Sequence, residues 1–338
     1  MTKNEISEIK QLLSSSKKIV IVPHKNPDGD AMGSSLGLYH YLINLGHTVT
    51  VITPNDYPNF LKWLPGDESV MIFEGNLSYS KKRIDEADLI FTLDFNDLSR
   101  TGDMAPFLEQ SEAIKILIDH HQEPKDYATY IYSDVAMCST SQMIYHFIEM
   151  LDATADISKN IASCLYVGIM TDTGSFRFPT TTSLTHRVVA DLIDKGADNS
   201  QIHTNVYDNN SYNRLQLLGC ALNNLKVIPE LHTAYISLSQ EELNQFNFKK
   251  GDTEGVVNYG LSVKGIQFAA IFIEHKQEGI VKASFRSKGS FDVNTFARDH
   301  FNGGGHINAA GGRSDLNLND TIEKFISILP HYKNDLKS

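Results

Sequence analysis

Short apolar runs alternate with longer stretches of helical spacing along the first half of the chain. Residues 19–22 (IVIV) are an unbroken β-favouring run, 31–45 carries apolar side chains at helical spacing and stops at Gly46, and 48–52 alternates as a strand. The runs 88–95 (DLIFTLDF) and 113–118 predict two more strands, while 4–13, 140–151 and 158–171 read as helices. Strands alternating with helices in this way predict a parallel sheet with crossover helices. The region 54–66 is irregular, and its Trp63 reads as a packing residue.

Helical periodicity over 182–195 ends at Gly196 and gives way to a polar stretch, 197–213 (ADNSQIHTNVYDNNSYN). This predicts a first domain over 1–190, a linker over 191–215 and a second domain over 216–338. In the second, 215–227, 254–261 and 293–301 read as helices, 233–238 as a strand, and 266–273 with 280–285 as a hairpin-like pair. The expected fold class is therefore α/β in two domains. An N-terminal parallel β-sheet flanked by helices is followed by a smaller C-terminal α/β domain with a mixed sheet, with an active-site cleft between them.

Composition narrows the setting. A chain of 338 residues is long enough for two domains, and 41% hydrophobic with 21% charged residues is the balance of a globular protein. No apolar run approaches the ~20 residues of a membrane span, and the start, MTKNEISEIKQLL, lacks the order of a secretory signal. A cytoplasmic protein without membrane partners is expected. The three cysteines, Cys138, Cys164 and Cys220, are too widely spaced for a zinc or redox pair and read as buried free thiols. A net charge of −11 argues against coating long nucleic acid, though not against a small phosphate ligand beside a bound cation.

The candidate chemistry sits where the predicted strands end. The first strand runs into Pro23 and His24, and the turn that follows, stiffened by Pro27 and eased by Gly29, places Asp28 and Asp30 on either side of a bend. Asp94 ends the third strand, and Asp119, His120 and His121 end the fourth; Asp172 closes a helix. Open parallel sheets place ligands at such carboxyl ends. Taken singly, each Asp is an ordinary turn former. Jointly they would repel one another unless something cationic neutralised them, and no matching row of Lys or Arg accompanies them. Carboxylates with imidazoles suit a hard or borderline divalent cation. In the second half Arg286 and Ser287 follow a strand and Gly303, Gly304, Gly305 and His306 follow a helix. A glycine run alone is often only a flexible turn. Here it leaves backbone N–H groups open to an anion, while Arg286 offers a planar fork for a phosphate.

These motifs carry a resemblance. His24-x-x-x-Asp28-x-Asp30, Asp94 in DFNDLSR, Asp119-His120-His121 and Asp172 in GIMTDTGSFRF resemble the ordered motifs of the DHH phosphoesterase superfamily. The stretch 285–312, FRSKGSFDVNTFARDHFNGGGHINAAGG, is similar to the glycine-rich signature of the DHH-associated domain. Within that superfamily the layout is similar to bacterial enzymes that degrade very short RNA and dephosphorylate 3′-phosphoadenosine 5′-phosphate (pAp).

The resemblance implies roles. His24, Asp28 and Asp94 would hold one Mn2+, and Asp30, Asp94, His120 and Asp172 a second, with Asp94 shared. Four carboxylates offset the charge of two divalent ions. Hydroxide attack without a covalent enzyme intermediate is implied, with His121 touching the scissile phosphate and Asp119 supporting the metal shell from behind. Arg100 braces the Asp94 loop or meets phosphate, two readings that stay open. Arg286, Ser287, Gly303, Gly304, Gly305 and His306 would grip the far phosphate or base of the substrate. The partners implied are short RNA oligonucleotides and small nucleotides such as pAp, not long duplexes. Self-association as a homodimer stays open. The rival readings are hydrolysis of cyclic-di-AMP or of linear pApA, hydrolysis of pyrophosphate or polyphosphate, and a non-catalytic nucleotide sensor.

Overall fold

The structure is a computed structural model that describes residues 1–337. It forms two compact units, one over Met1–Asn209 and the other from Asn210 onward. The first contains, in order, α1 (Lys3–Leu12), β1 (Lys18–Pro23), α2 (Gly29–Asn44), β2 (Thr48–Thr53), β3 (Met71–Ile72), α3 (Leu77–Asp85) and β4 (Leu89–Leu93). There follow α4 (Ala105–Gln110), β5 (Ile114–Asp119), β6 (Tyr130–Ser133), α5 (Thr140–Met150), α6 (Lys159–Asp172), α7 (Ser183–Asp194) and α8 (Asn199–Tyr207).

The six strands lie in the order β3-β2-β1-β4-β5-β6, all parallel. Central strands of such a sheet are covered on both faces, which is why IVIV and LIFTL are continuous apolar runs rather than alternating ones. Successive side chains still go to opposite sides. Ile19 and Ile21 join the large core under α2, α5 and α6, whereas Val20 and Val22 join a second core with Phe73, Ile84 and Leu108. From β1 the chain builds outward through β2 and β3, then returns to lay β4, β5 and β6 on the other side. The carboxyl ends of β1 and β4 are thus a topological switch point, where open parallel sheets bind ligands.

Helix α2 crosses α6 at very short range. A Cβ on Gly33 would stand 2.5 Å from the Cys164 carbonyl oxygen and 2.8 Å from the Gly168 nitrogen, so α2 reaches the α6 backbone only because Gly33 has no side chain. Gly29 likewise supplies room rather than an unusual angle. A Cβ on it would lie 2.6 Å from Thr171 Cγ2, and the left-handed residue of that turn is Asn26, at φ 58°.

The second unit contains α9 (Tyr212–Asn223), β7 (Lys226–Ile228), β8 (Thr233–Leu238), α10 (Gln240–Gln245), α11 (Val257–Ser262) and β9 (Phe268–His275). It continues with β10 (Ile280–Ser287), α12 (Val293–Phe301), β11 (Gly304–His306), β12 (Ala309–Ser314) and α13 (Leu318–Ile328). Its sheet, β11-β12-β10-β9-β8-β7, is mixed: β8 and β9 are parallel and the other neighbours antiparallel. One face carries a cluster of phenylalanines. The Phe268 ring lies 5.0 Å from that of Phe296, edge to face, as aromatic quadrupoles favour.

The polar stretch expected to be a linker is structured instead. Residues 199–207 form α8, whose Ile202 and Val206 are buried in the core of the first unit, and the division between units falls after Asn209. Two apolar residues a turn apart suffice to seat a helix whose remaining side chains face solvent. Cys138 and Cys164 are buried and Cys220 half-buried, all as free thiols. Among the described residues no helix is long and apolar enough to cross a membrane.

Candidate active site

The switch point gathers the predicted residues of the first unit. His24 follows β1, Asp94 follows β4 and His120 follows β5, while Asp28 and Asp30 stand at the start of α2 and Asp172 at the end of α6. Each imidazole is oriented by a backbone carbonyl. His24 Nδ1 lies 2.9 Å from Lys25 O and His120 Nδ1 3.2 Å from Met137 O, which turns both Nε2 atoms toward the carboxylates. His24 Nε2 is 3.5 Å from Asp94 Oδ2 and 3.8 Å from Asp28 Oδ2. His120 Nε2 is 3.4 Å from Asp172 Oδ2, 3.5 Å from Asp94 Oδ1 and 3.8 Å from Asp30 Oδ2.

Local structure aims the carboxylates. Asp28 caps α2: its Oδ1 accepts from the backbone of Asp30 and Ala31 at 3.0 and 3.1 Å, leaving Oδ2 toward His24. Asp94 has φ 65°, a left-handed conformation that Asp tolerates better than most residues and that breaks the strand there. Asp30 accepts backbone N–H groups from Thr140 at 2.6 Å and Ser141 at 2.8 Å, the first turn of α5. Sequence reasoning missed those two residues. Their signal was the polar Ser139-Thr140-Ser141 run ahead of an apolar helix, which reads as a cap and nothing more.

Electrostatics follow from this crowding. Burial alone lowers a histidine, but at His24 it is outweighed by the Asp94 hydrogen bond and the charges of Asp28 and Asp94, so its pKa is pushed up to about 9. At His120 burial is outweighed in the same way by Asp94, Asp172 and Asp30, which raise it well above the usual range. Burial and the charges of Asp94 and Asp172 lift Asp30 well above a normal carboxylate. Burial, partly offset by His120, and the charges of Asp28 and Asp94 bring Asp172 to about 6. At Asp94 burial is overcome by hydrogen bonds from His120 and His24, and it stays well below.

Without a cation, the surrounding carboxylates favour the protonated form of both imidazoles. Among the described residues no Lys or Arg forms an ion pair with Asp28, Asp30, Asp94 or Asp172, although Asp30 is only 1% and Asp94 2% exposed. Ligand atoms of His24, Asp28 and Asp94 lie within 4.8 Å of one another, as do those of Asp30, His120 and Asp172. A mixed oxygen and nitrogen donor set of this charge fits divalent metal.

Around it, His121 Nδ1 lies 2.7 Å from Asp119 Oδ1 and 3.7 Å from Asp94 Oδ1. Asp119 is fully buried, and its Oδ2 meets no hydrogen-bond donor among the described residues. Arg100 is exposed, and its backbone carbonyl accepts from the Lys25 N–H at 2.8 Å, framing the His24 loop through the main chain.

In the second unit Arg286 is half-buried at the end of β10, one guanidinium nitrogen donating to Phe285 O at 3.0 Å. Ser287 is buried; its hydroxyl donates to Phe291 O at 2.6 Å and accepts from Asn308 Nδ2 at 2.9 Å. The last two glycines of the run are strand rather than loop. Gly304, Gly305 and His306 pair with Gly311, Ala310 and Ala309. A Cβ on Gly303 would overlap the Gly311 carbonyl, so that glycine serves close packing. Gly303 N–H donates to Ala297 O at 3.2 Å and Gly305 N–H to Asn294 Oδ1 at 2.9 Å, so these amides are engaged within the unit. His306 is half-buried.

Comparison with known proteins supplies the family. Residues 18–169 match the DHH family, N-terminal domain, and residues 230–331 match the DHHA1 domain. A Streptococcus mutans protein described as a probable bifunctional oligoribonuclease and PAP phosphatase NrnA is 31% identical over 297 residues, 88% of this chain and 89% of that protein. The Thermus thermophilus bifunctional oligoribonuclease and PAP phosphatase NrnA is 30% identical over 315 residues, 91% of this chain and 88% of that one. The crystal structure of an exopolyphosphatase-related protein from Bacteroides fragilis has a TM-score of 0.95 at 39% identity, covering 100% of this chain and 98% of that one. The acids and imidazoles at the switch point therefore have a family context: the chain belongs to the DHH phosphoesterases, metal-dependent phosphohydrolases, and carries their DHHA1 domain.

Proposed function

We propose that this protein hydrolyses short oligoribonucleotides to 5′-mononucleotides and removes the 3′-phosphate of pAp, with two Mn2+ ions as cofactor. Asp94 is the observation that carries the reading. One buried carboxylate turns Oδ2 to the imidazole that stands with Asp28, and Oδ1 to the imidazole that stands with Asp30 and Asp172. His24, Asp28 and Asp94 would hold one ion and Asp30, Asp94, His120 and Asp172 the other. A mixed carboxylate and imidazole set favours manganese over magnesium, which prefers oxygen. Bound there, the pair supplies a water of lowered pKa and withdraws charge from phosphoryl oxygens.

The chain's own groups divide the remaining work. Asp119 fixes the His121 ring through Nδ1, and His121 meets the scissile phosphate. Arg286 takes a second phosphate of the substrate, its planar fork matching two oxygens at once. The names of the relatives and the net charge of −11 both favour short substrates over long polyanions.

Arg286→Lys is expected to raise KM by ~10-fold while kcat changes little, because the fork is lost and the reacting centre untouched. Steady-state kinetics on pAp reads this; a collapsed kcat at unchanged KM would move Arg286 into the chemistry. The substrate assignment is tested by comparing kcat/KM with manganese for pAp, di- to pentaribonucleotides, pApA, cyclic-di-AMP and pyrophosphate. Preference for pAp and the short ribonucleotides is expected. A higher value for cyclic-di-AMP or pyrophosphate would overturn the substrate class and leave the phosphohydrolase standing.

A further inference from the structure

The first turn of α5 touches both sets of candidate ligands. Ser139, Thr140 and Ser141 are 0% exposed and Gln142 is 1% exposed, an unusual depth for four successive polar side chains. Buried polar groups destabilise a fold unless partnered, so each contact in this run has a reason. The Ser139 hydroxyl accepts from Gln142 N–H at 3.0 Å and caps the helix. Gln142 Oε1 accepts from the Cys138 thiol at 2.9 Å, and Ser141 Oγ lies 3.5 Å from Asp30 O. Thr140 points elsewhere. Its hydroxyl donates to Asp94 Oδ1 at 2.9 Å, while its backbone N–H donates to Asp30 Oδ2 at 2.6 Å.

We propose that Thr140 is a positioning residue for the metal centre, its hydroxyl fixing the rotation of the Asp94 carboxylate so that one oxygen faces each ligand set. The inference rests on the two-ion reading above. A carboxylate turns easily about its last bond, since that torsion has broad wells. Left to turn, Asp94 could direct both oxygens to one ion and leave the other set a ligand short. A buried hydroxyl on a β-branched side chain is a stiff stop against that rotation. Holding Asp30 through the same residue's N–H keeps the shared ligand and one ligand of the second set in fixed relation. Thr140 touches no substrate in this account and acts through Asp94.

The test is a manganese titration of metal-free protein by calorimetry, with electron paramagnetic resonance to detect coupled ion pairs. Wild type, Thr140→Val, Thr140→Ala and Thr140→Ser are compared, each checked for folding by circular dichroism. Wild type should bind two ions. The Val and Ala variants should keep the first and bind the second ~10–100-fold more weakly, losing the coupled signal, while the Ser variant stays within ~3-fold of wild type. Should Val fail to fold, Ala removes the hydroxyl without adding bulk and decides the matter. Hydroxyl-free variants that bind both ions as wild type does would overturn the inference and spare the two-ion reading. A Ser variant as weak as Ala would assign the effect to the lost methyl group and also overturn it. Wild type that binds one ion would instead overturn the two-ion reading itself.

Discussion

Asp94→Asn is expected to lower kcat by at least ~10³-fold, about 4 kcal/mol of transition-state stabilisation, while the protein stays folded. The charge removed is the one that two imidazoles share, at 3.5 Å on either oxygen. Asparagine is the informative replacement because position 94 has φ 65°, which Asn tolerates and Ala does not. An alanine there would mix backbone strain with the loss of a ligand. The side chain lies at the carboxyl edge of the sheet and belongs to neither apolar core of the first unit, so circular dichroism should be unchanged. Single-turnover rates check the chemistry. A residual rate above ~a tenth of wild type would contradict a shared ligand.

The second large effect is structural. Gly168→Ala should destabilise the first unit by about 1–3 kcal/mol and weaken metal binding as well. Its Cβ would lie 2.6 Å from Ser141 Cβ and 2.7 Å from Asp30 Oδ1, and neither neighbour has anywhere to go, since Asp30 and Ser141 are both buried. Helix α6 would have to withdraw from α5, carrying Asp172 away from His120 and unseating Asp30 from the Thr140 and Ser141 amides. Denaturant unfolding with and without manganese reads both consequences. An unchanged midpoint would show that the close approach of these elements has slack.

The strands that build the site could be read from the sequence because they are buried on both faces. Runs such as IVIVP and LIFTL leave no other assignment, and the residues that end them, His24 and Asp94, are placed by the same signal. Elements with one dry face were harder. β6 is half-buried throughout at a sheet edge, α3 buries only Ser80 and Ile84, and α8 buries only Ile202 and Val206. The glycines at 303–305 suggested an open anion cradle because a glycine run in isolation reads as turn. Gly303 and Gly305 also have a tertiary reason that the sequence hides: a strand partner too close for a Cβ, and the Asn294 side chain that takes the Gly305 N–H. Thr140 was invisible for a related cause. Its partner Asp94 lies 46 positions away, and local spacing registers only that a helix begins.

The central claim is that the gathered acids and imidazoles are a cradle for two ions on which hydrolysis depends. Adding manganese stepwise to chelated protein while following phosphate release from pAp tests it most directly. Activity should return only as a second ion per chain is taken up; full turnover with one ion, or with none, would contradict it.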